Sequence, residues 1–236
     1  MNPADIAWQT LDAPPPLIGG ELHVWRIQTG RMDSRWAAQR LNQVEAARAD
    51  RIIDDRMRIE WAASRVALRT LLGGYLVVKP ERIVFNLGES GKPFLEGKPI
   101  EFNLSHTGGL ALAAFATGNP VGIDVEYMRE DLDPLDVAPA VFAPDELRRV
   151  QNAAPDCGLI VFYGLWTHKE AWLKMLGTGL VDDLSAYSLA HLPAHLRPSR
   201  LCDLPAGPGY KAAAALKHPI DAVRLFDFGF DQCSNP

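Results

Sequence analysis

Residues 159–176, LIVFYGLWTHKEAWLKML, constrain the fold more than any other segment of the chain. Trp166, Trp172 and Leu176 make this segment mostly apolar at helical spacing, and Gly177 follows as a stop signal. A helix with so much apolar surface must be covered by other elements of the fold. We therefore predict a long, mostly buried helix that carries a few charged side chains.

Short β-like runs, rich in β-branched and aromatic residues, surround this helix along the chain. They are residues 23–29, 82–87, 99–105, 110–116 and 120–126 before the helix, and residues 185–190, 210–216 and 222–228 after it. Another helix is predicted to begin after FAPDEL (142–147). This order of elements predicts an α+β protein.

The same order suggests two similar halves, each a small, mainly antiparallel sheet packed on one long helix. The turn ATGNP separates residues 1–118 from residues 119–236, and these are the predicted halves. A chain of 236 residues is long enough for one large domain or two small ones. No internal repeat is visible in the sequence, so the symmetry is inferred from the order of elements alone.

The composition excludes several classes of protein. Hydrophobic residues make up 47% and charged residues 22%, which is typical of a globular chain. The net charge of −5 argues against broad binding to nucleic acid or anionic membranes. Cys157, Cys202 and Cys233 are too widely spaced to indicate a disulfide framework or a zinc site, so we expect a reducing cytoplasm. The start MNPADIAWQT has no basic leader, and LALAAFA (110–116) is too short to cross a bilayer, so we expect a soluble protein.

Residues 45–74 are predicted to form one helix rich in arginine. Its apolar face is traced by Ile53, Met57, Trp61, Ser64, Leu68 and Leu71, and Gly73-Gly74 is the predicted stop. A second stripe consists of Arg48, Arg51, Arg58, Arg65 and Arg69, with Arg56 beside it. These arginines either pair with acidic residues of the same segment on a solvated face or form a site for an anion or an acidic partner.

The segment GIDVEY (122–127) places Asp124 and Glu126 on either side of Val125. Residues two apart in a strand point to the same side, so both carboxylates would project together while Val125 faces the core. A solvent-facing strand is the simplest explanation of such a pair. The alternative is a site for a hard cation such as magnesium, which would need one further carboxylate and phosphate oxygens.

Glu170 is the candidate for that further carboxylate. It lies four residues before Lys174, so the two share one face of the predicted helix. An exposed ion pair of this kind would contribute only about 0.3–0.5 kcal/mol to stability. The apolar neighbours favour a buried helix instead, in which a charged side chain needs a specific reason.

Side chains that could bind a phosphate precede the carboxylate pair in the sequence. Lys92 lies in the turn GKP, where an ammonium can reach outward. Ser105 and His106 follow the strand-like run FNL. Each group could be structural when taken alone, but together they lie before the carboxylate pair and the Glu170–Lys174 helix.

Four motifs then occur in a recognisable order: GKP, FNLSHTG, GIDVE and WTHKEAWLKMLGTGL. From about Arg48 to Leu180, the chain resembles the 4'-phosphopantetheinyl transferases of the surfactin-synthetase-activating type. The pattern W-x-x-K-E-A-x-x-K-x-x-G is the most specific of the four. The resemblance implies transfer of 4'-phosphopantetheine from coenzyme A to a serine of an apo acyl or peptidyl carrier protein. Such a reaction releases adenosine 3',5'-bisphosphate.

The resemblance also implies a structural arrangement and a metal. Two pseudo-symmetric halves would lie in one monomeric chain, with the active site and coenzyme A in the cleft between them. Magnesium, or manganese in its place, would be held by Asp124, Glu126 and Glu170. Glu170 would accept the proton of the serine, directly or through a water, and Lys174 would neutralise or protonate the departing bisphosphate.

Further residues are implied as ligands of the coenzyme A phosphates. These ligands are Arg48, Arg56, Lys92, Ser105, His106 and Lys174, and the 3'-phosphate is the expected partner of His106. Carrier proteins of this system are acidic around the modified serine, so Arg58, Arg65 and Arg69 could steer the partner. Pairing within the helix is the alternative for these three arginines.

Two other functions are compatible with parts of the pattern. A metal-dependent phosphodiester hydrolase would also use clustered carboxylates, but it would typically show a denser set of Asp and His ligands for two metals. A non-catalytic module that binds carrier proteins would not need the three carboxylates. Their presence favours the transferase.

Overall fold

The computed structural model describes residues 7–32, 40–179 and 183–230. Leu180 and Cys233, which figure in the sequence predictions, lie outside these ranges. The helices are α1 (Gln43–Asp50), α2 (Asp55–Leu76), α3 (Pro134–Val141), α4 (Pro144–Gln151) and α5 (Gly158–Leu176). The strands are β1 (Gln9–Thr10), β2 (Glu21–Gln28), β3 (Asn86–Leu87), β4 (Pro93–Phe94), β5 (Glu101–Thr107), β6 (Leu110–Ala116), β7 (Val121–Tyr127), β8 (Arg200–Asp203), β9 (Tyr210–Leu216) and β10 (Ala222–Phe228). Across the described ranges, no helix combines the length and the apolar character needed to span a membrane.

The described residues group into two compact units. The first unit consists of the residues up to Asn86, Phe94–Gly118 and the residues from Ile220 onward; the second consists of Leu87–Pro93 and the described part of Asn119–Pro219. The α+β class predicted from the sequence is confirmed. The predicted second half, residues 119–236, differs from the second unit at its end, because β10 pairs in parallel with β2 of the first unit. Parallel pairing joins strands distant in sequence, so the order of elements does not reveal it.

The sheet of the first unit has the order β1-β10-β2-β6-β5. It is mixed rather than mainly antiparallel, since β10 is parallel to both of its neighbours while β6 is antiparallel to both β2 and β5. The helix α2 packs on this sheet through side chains such as Val66, Leu68 and Leu71, which are fully buried against Trp25 and Phe115.

The helix predicted for residues 45–74 is in fact two helices. The helix is interrupted at Arg51–Asp54, where the Asp54 carboxylate accepts a hydrogen bond from Met57 N and caps α2. Ile53 and Met57 therefore do not belong to the buried face and are 96% and 64% exposed. The helix also continues beyond Gly73-Gly74 to Leu76. Gly73 does not stop the helix; it allows close packing, because a Cβ there would lie 2.8 Å from Val78 O.

The second unit contains the antiparallel sheet β7-β9-β8. The helix α5 packs on β7 and β9 and ends at Gly177, whose φ of 72° suits glycine, so the helix predicted at 159–176 is confirmed. The strand predicted at 185–190 is wrong, since this region forms two short 3-10 turns, Leu184–Ala186 and Leu189–His191.

A buried ion pair ties α5 to α4. Lys169 Nζ lies 2.5 Å from Glu146 Oε2 and also donates to the carbonyls of Val141 and Leu184. Glu146 in turn accepts hydrogen bonds from the backbone N–H groups of Ala143 and Leu189. Both charged groups are thus compensated within the protein, as buried charges must be.

Candidate active site

The residues Gly122, Asp124 and Glu126 alternate along β7 and therefore face the same side of the sheet. The helix α5 packs on that side, because a Cβ on Gly122 would lie only 2.0 Å from Ala171 O and 2.3 Å from Met175 N. Glycine is needed at this position so that the helix backbone can approach the strand. The close approach brings the two carboxylates of β7 under α5.

On the facing side of α5, Trp166, Glu170 and Lys174 recur at four-residue spacing and form one row. Trp166 Nε1 donates to Glu126 Oε1 over 3.2 Å, and Lys174 Nζ donates to Asp124 Oδ1 over 2.6 Å. Glu170 lies between Trp166 and Lys174, one helical turn from each. Its Oε1 is buried and has no hydrogen-bond partner among the described residues.

The carboxylates of this face influence one another through their charges. Burial, followed by the charge of Asp124, raises the pKa of Glu126 from 4.5 to about 6, although Trp166 and Lys174 oppose the shift. Burial also raises the pKa of Glu170; Lys174 opposes this shift and Asp124 adds to it. Negative charge is thus concentrated here beyond what the neighbouring lysine compensates.

A divalent cation would relieve this excess, and the oxygen donors suit magnesium. Within residues 7–32, 40–179 and 183–230, however, no three His, Cys, Asp or Glu side chains are grouped so that they could hold a metal ion by themselves. Magnesium commonly takes one or two protein carboxylates and completes its shell with water and substrate phosphates. The donor set therefore fits a cation that arrives with a phosphate ligand.

Lys92 has a structural role next to this face. Its Nζ donates to Val121 O over 2.9 Å and to Lys174 O over 2.6 Å. Lys174 O belongs to the last turn of α5, where a positive charge is favourable to the helix dipole. The loop of Lys92 thus holds the end of α5 against the start of β7.

In the first unit, the exposed His106 and the buried Ser105 are adjacent on β5, so their side chains point to opposite faces of the strand. His106 Nδ1 lies 3.1 Å from Glu60 Oε1 of α2. The other carboxylate oxygen of Glu60 accepts a hydrogen bond from Gly109 N over 2.9 Å. Burial by itself would raise the pKa of Glu60, but the bonds from His106 and Gly109 outweigh it, and the pKa is lowered.

The arginines of the first unit separate into two groups. Arg48 and Arg56 are exposed, and the guanidinium of Arg48 lies 5.5 Å from the centre of the Trp61 ring. Arg58 pairs with Asp55 on its own helix, as the pairing alternative predicts. By contrast, Arg65 and Arg69 turn inward and form ion pairs with Glu45 of α1. Arg69 is fully buried and is not accessible to a partner protein.

Sequence reasoning missed three residues that organise these regions: Glu60, Trp166 and Lys169. Glu60 is one of the acidic residues that could pair with the arginine stripe, and nothing in its spacing indicates a partner on β5. Trp166 and Lys169 belong to the motif W-x-x-K-E-A-x-x-K-x-x-G, but the motif does not show which atoms they bond to. The polar atoms of all three find their partners on elements distant in sequence, so spacing along the chain could not identify those partners.

Comparison with known proteins identifies the family. A model of the 4'-phosphopantetheinyl transferase superfamily matches residues 120–213, which include β7 and α5. The 4'-phosphopantetheinyl transferase HetI of Nostoc sp. is 35% identical over 204 residues, covering 83% of this chain and 85% of HetI. The putative 4'-phosphopantetheinyl transferase slr0495 of Synechocystis sp. is 31% identical over 165 residues, 69% of this chain and 67% of the relative.

The 4'-phosphopantetheinyl transferase Sfp of Bacillus subtilis is 31% identical over 172 residues, covering 65% of this chain and 75% of Sfp. The resemblance seen in the four motifs is thereby confirmed. With HetI matched over most of both chains, the protein belongs to the 4'-phosphopantetheinyl transferase superfamily.

Proposed function

We propose that this transferase moves 4'-phosphopantetheine from coenzyme A to a serine of an acyl or peptidyl carrier protein, with magnesium, and releases adenosine 3',5'-bisphosphate. The observation that carries this proposal is the cluster of Asp124, Glu126, Glu170 and Lys174 between β7 and α5, with its excess of negative charge. We further propose a cytoplasmic monomer that binds coenzyme A in a cleft and binds neither nucleic acid nor membranes.

Asp124, Glu126 and Glu170 would hold the magnesium ion together with phosphate oxygens of coenzyme A. When bound, the cation would stabilise the negative charge that develops on the phosphoryl oxygens; manganese could substitute for it. The buried Glu170 oxygen without a partner and the raised pKa of Glu126 support this assignment, because both are relieved by a nearby positive charge.

The same face can perform the proton transfers. The serine oxygen forms a bond to the phosphorus next to the pantetheine arm. The bond from that phosphorus to the bridging oxygen of the pyrophosphate breaks, and this oxygen leaves with adenosine 3',5'-bisphosphate. Glu170 accepts the serine proton, directly or through a water. Lys174, held by Asp124 at 2.6 Å, neutralises or protonates the departing oxygen.

The remaining site residues would bind the phosphates of coenzyme A. We assign the 3'-phosphate to His106, and Arg48 and Arg56 to further phosphate contacts, since all three are exposed. Ser105 and Lys92 are less accessible, because the first is buried and the second already donates to two carbonyls. They belong to the proposed ligand set only through the resemblance of their motifs.

The test is direct transfer in solution. The protein is incubated with coenzyme A, magnesium chloride and several apo carrier proteins, and each carrier is weighed by mass spectrometry. A phosphopantetheine-sized increase that disappears with chelator is the expected result. No increase on any carrier, with or without cleavage of a phosphodiester substrate, would refute the transferase.

A further inference from the structure

We propose that Glu60 is a positioning residue, which holds His106 so that Nε2 is the ring nitrogen presented to the 3'-phosphate of coenzyme A. The inference rests on the proposed function, in which His106 binds that phosphate. It adds a residue on α2 that none of the four sequence motifs contains.

The two oxygens of Glu60 contact two points of the same β5–β6 hairpin: His106 Nδ1 at 3.1 Å and Gly109 N at 2.9 Å. The backbone bond fixes the carboxylate, and the carboxylate then fixes the plane of the imidazole. Gly109 is itself held, since its carbonyl accepts a hydrogen bond from Thr29 N. A ring bonded in this way through Nδ1 can meet a ligand only with Nε2.

A charged carboxylate only accepts hydrogen bonds, so Nδ1 of His106 must carry a proton to bond with Glu60. The hydrogen bonds from His106 and Gly109, and to a smaller extent the charge of Arg56 one turn earlier on α2, lower the pKa of Glu60 despite burial, so the carboxylate stays charged near neutral pH. A ring that donates through Nδ1 to Glu60 and through Nε2 to a phosphate is an imidazolium, and its positive charge would then lie between two anions.

The side chain of Glu60 is only 11% exposed, whereas that of His106 is 34% exposed. The carboxylate therefore lies beneath the ring, and the ring lies at the surface. This is the arrangement of a supporting group and a ligand-binding group, and it resembles the way carboxylates orient histidines at metal sites.

The chain offers a matched control. His168 Nε2 pairs with Asp203 Oδ1 at 3.0 Å in the second unit, and Asp203 is 73% exposed. This pair has the same chemistry as Glu60–His106 but supports none of the proposed phosphate ligands. Asp203→Asn should therefore leave donor binding unchanged.

The test compares ligands that differ only in the 3'-phosphate. Binding of adenosine 3',5'-bisphosphate and of adenosine 5'-monophosphate is measured by calorimetry for the wild type, Glu60→Gln, His106→Gln and the double variant. Glutamine retains an acceptor for Gly109 N but removes the charge. We expect Glu60→Gln to weaken the bisphosphate about five- to tenfold, as when a charge-assisted hydrogen bond becomes a neutral one, and to leave the monophosphate unchanged.

In the His106→Gln background, Glu60→Gln should add less than about a twofold effect, because two residues that act as one unit are not additive. In transfer assays, Glu60→Gln should raise KM for coenzyme A and leave kcat unchanged. Equal weakening of both nucleotides, an additive double variant or a change in kcat alone would overturn the inference. If binding follows the expected pattern but no carrier protein is modified, the proposed function fails and the positioning role stands. A wild type that binds neither nucleotide would overturn both.

Discussion

Glu60 and Glu170 each lie on the long helix of their unit and close to a strand, yet their pKa values shift in opposite directions. Glu60 accepts bonds from His106 and Gly109, and its pKa is lowered. Glu170 has an oxygen without a partner among the described residues, and its pKa is raised. Burial raises the pKa of both, so the partners decide the outcome.

The difference separates carboxylates that organise the protein from carboxylates available to a ligand. Glu45, Glu60 and Glu146 each have partners supplied by the chain. Glu126 and Glu170 retain an unfavourable excess of charge in a folded protein, which is typical of functional sites. If this distinction is correct, substitutions of the ligand-accessible carboxylates should mainly reduce activity, and substitutions at the compensated carboxylates or their partners should mainly reduce stability.

The largest effect is expected from removing charge on the β7–α5 face. Glu170→Gln and Asp124→Asn should each lower kcat for carrier modification by about 10²–10⁴-fold, because the proposed base or a cation ligand is lost. Both variants should retain the wild-type circular dichroism spectrum. The exposed Asp203→Asn serves as control. Near-normal turnover of either variant at low magnesium would contradict its assigned role.

The next effect concerns a carboxylate whose partner lies within the protein. Lys169→Met leaves the Glu146 charge buried without its ammonium, and we expect a loss of about 3–5 kcal/mol in the free energy of unfolding, measured with urea. In the double variant Lys169→Met, Glu146→Leu, much of the loss should be recovered. Arg129→Met removes an exposed pair with Asp131 and should cause no measurable change. A stable Lys169→Met protein would show that the pair is not structural.

The smallest expected effects are changes in thermal stability that depend on pH. The pKa of Glu126 is raised to about 6, so in the folded protein its charge is unfavourable above that pH, and the penalty disappears as pH falls toward 4.5. In chelator, Glu126→Gln should therefore raise Tm at pH 7.5, and the gain should vanish near pH 4.5.

Glu60→Gln should behave in the opposite way. The lowered pKa of Glu60 contributes stability above its ordinary value of 4.5, and this is lost as pH falls through the folded-state value. At pH 7.5 the variant should lose about 1 kcal/mol, or about 2–4 °C in Tm, and the loss should shrink below pH 4.5. If Glu60→Gln and Glu126→Gln changed Tm at pH 7.5 in the same direction, the distinction between the two classes of carboxylate would be wrong.

Much of the local structure could be predicted from the sequence because it depends on short-range patterns. The strand over GIDVEY and the helix ending at Gly177 follow from spacing and from a glycine stop. The break between α1 and α2 was missed because the apolar spacing continues through Ile53 and Met57, and only the Asp54 cap interrupts the helix. The mixed sheet was missed because the parallel partner of β2 is a strand near the end of the chain.

The sequence by itself determined the family, the buried helix α5 and the alternation that turns Asp124 and Glu126 to one side, since each depends on residue types at fixed spacing. Only the tertiary structure decided which charges are compensated. In the fold, Lys92 donates to two backbone carbonyls, Arg69 donates to Glu45, and His106 bonds to Glu60. These partners lie far apart in sequence, and an ion pair or a pKa depends on which groups the fold brings within a few ångströms of each other.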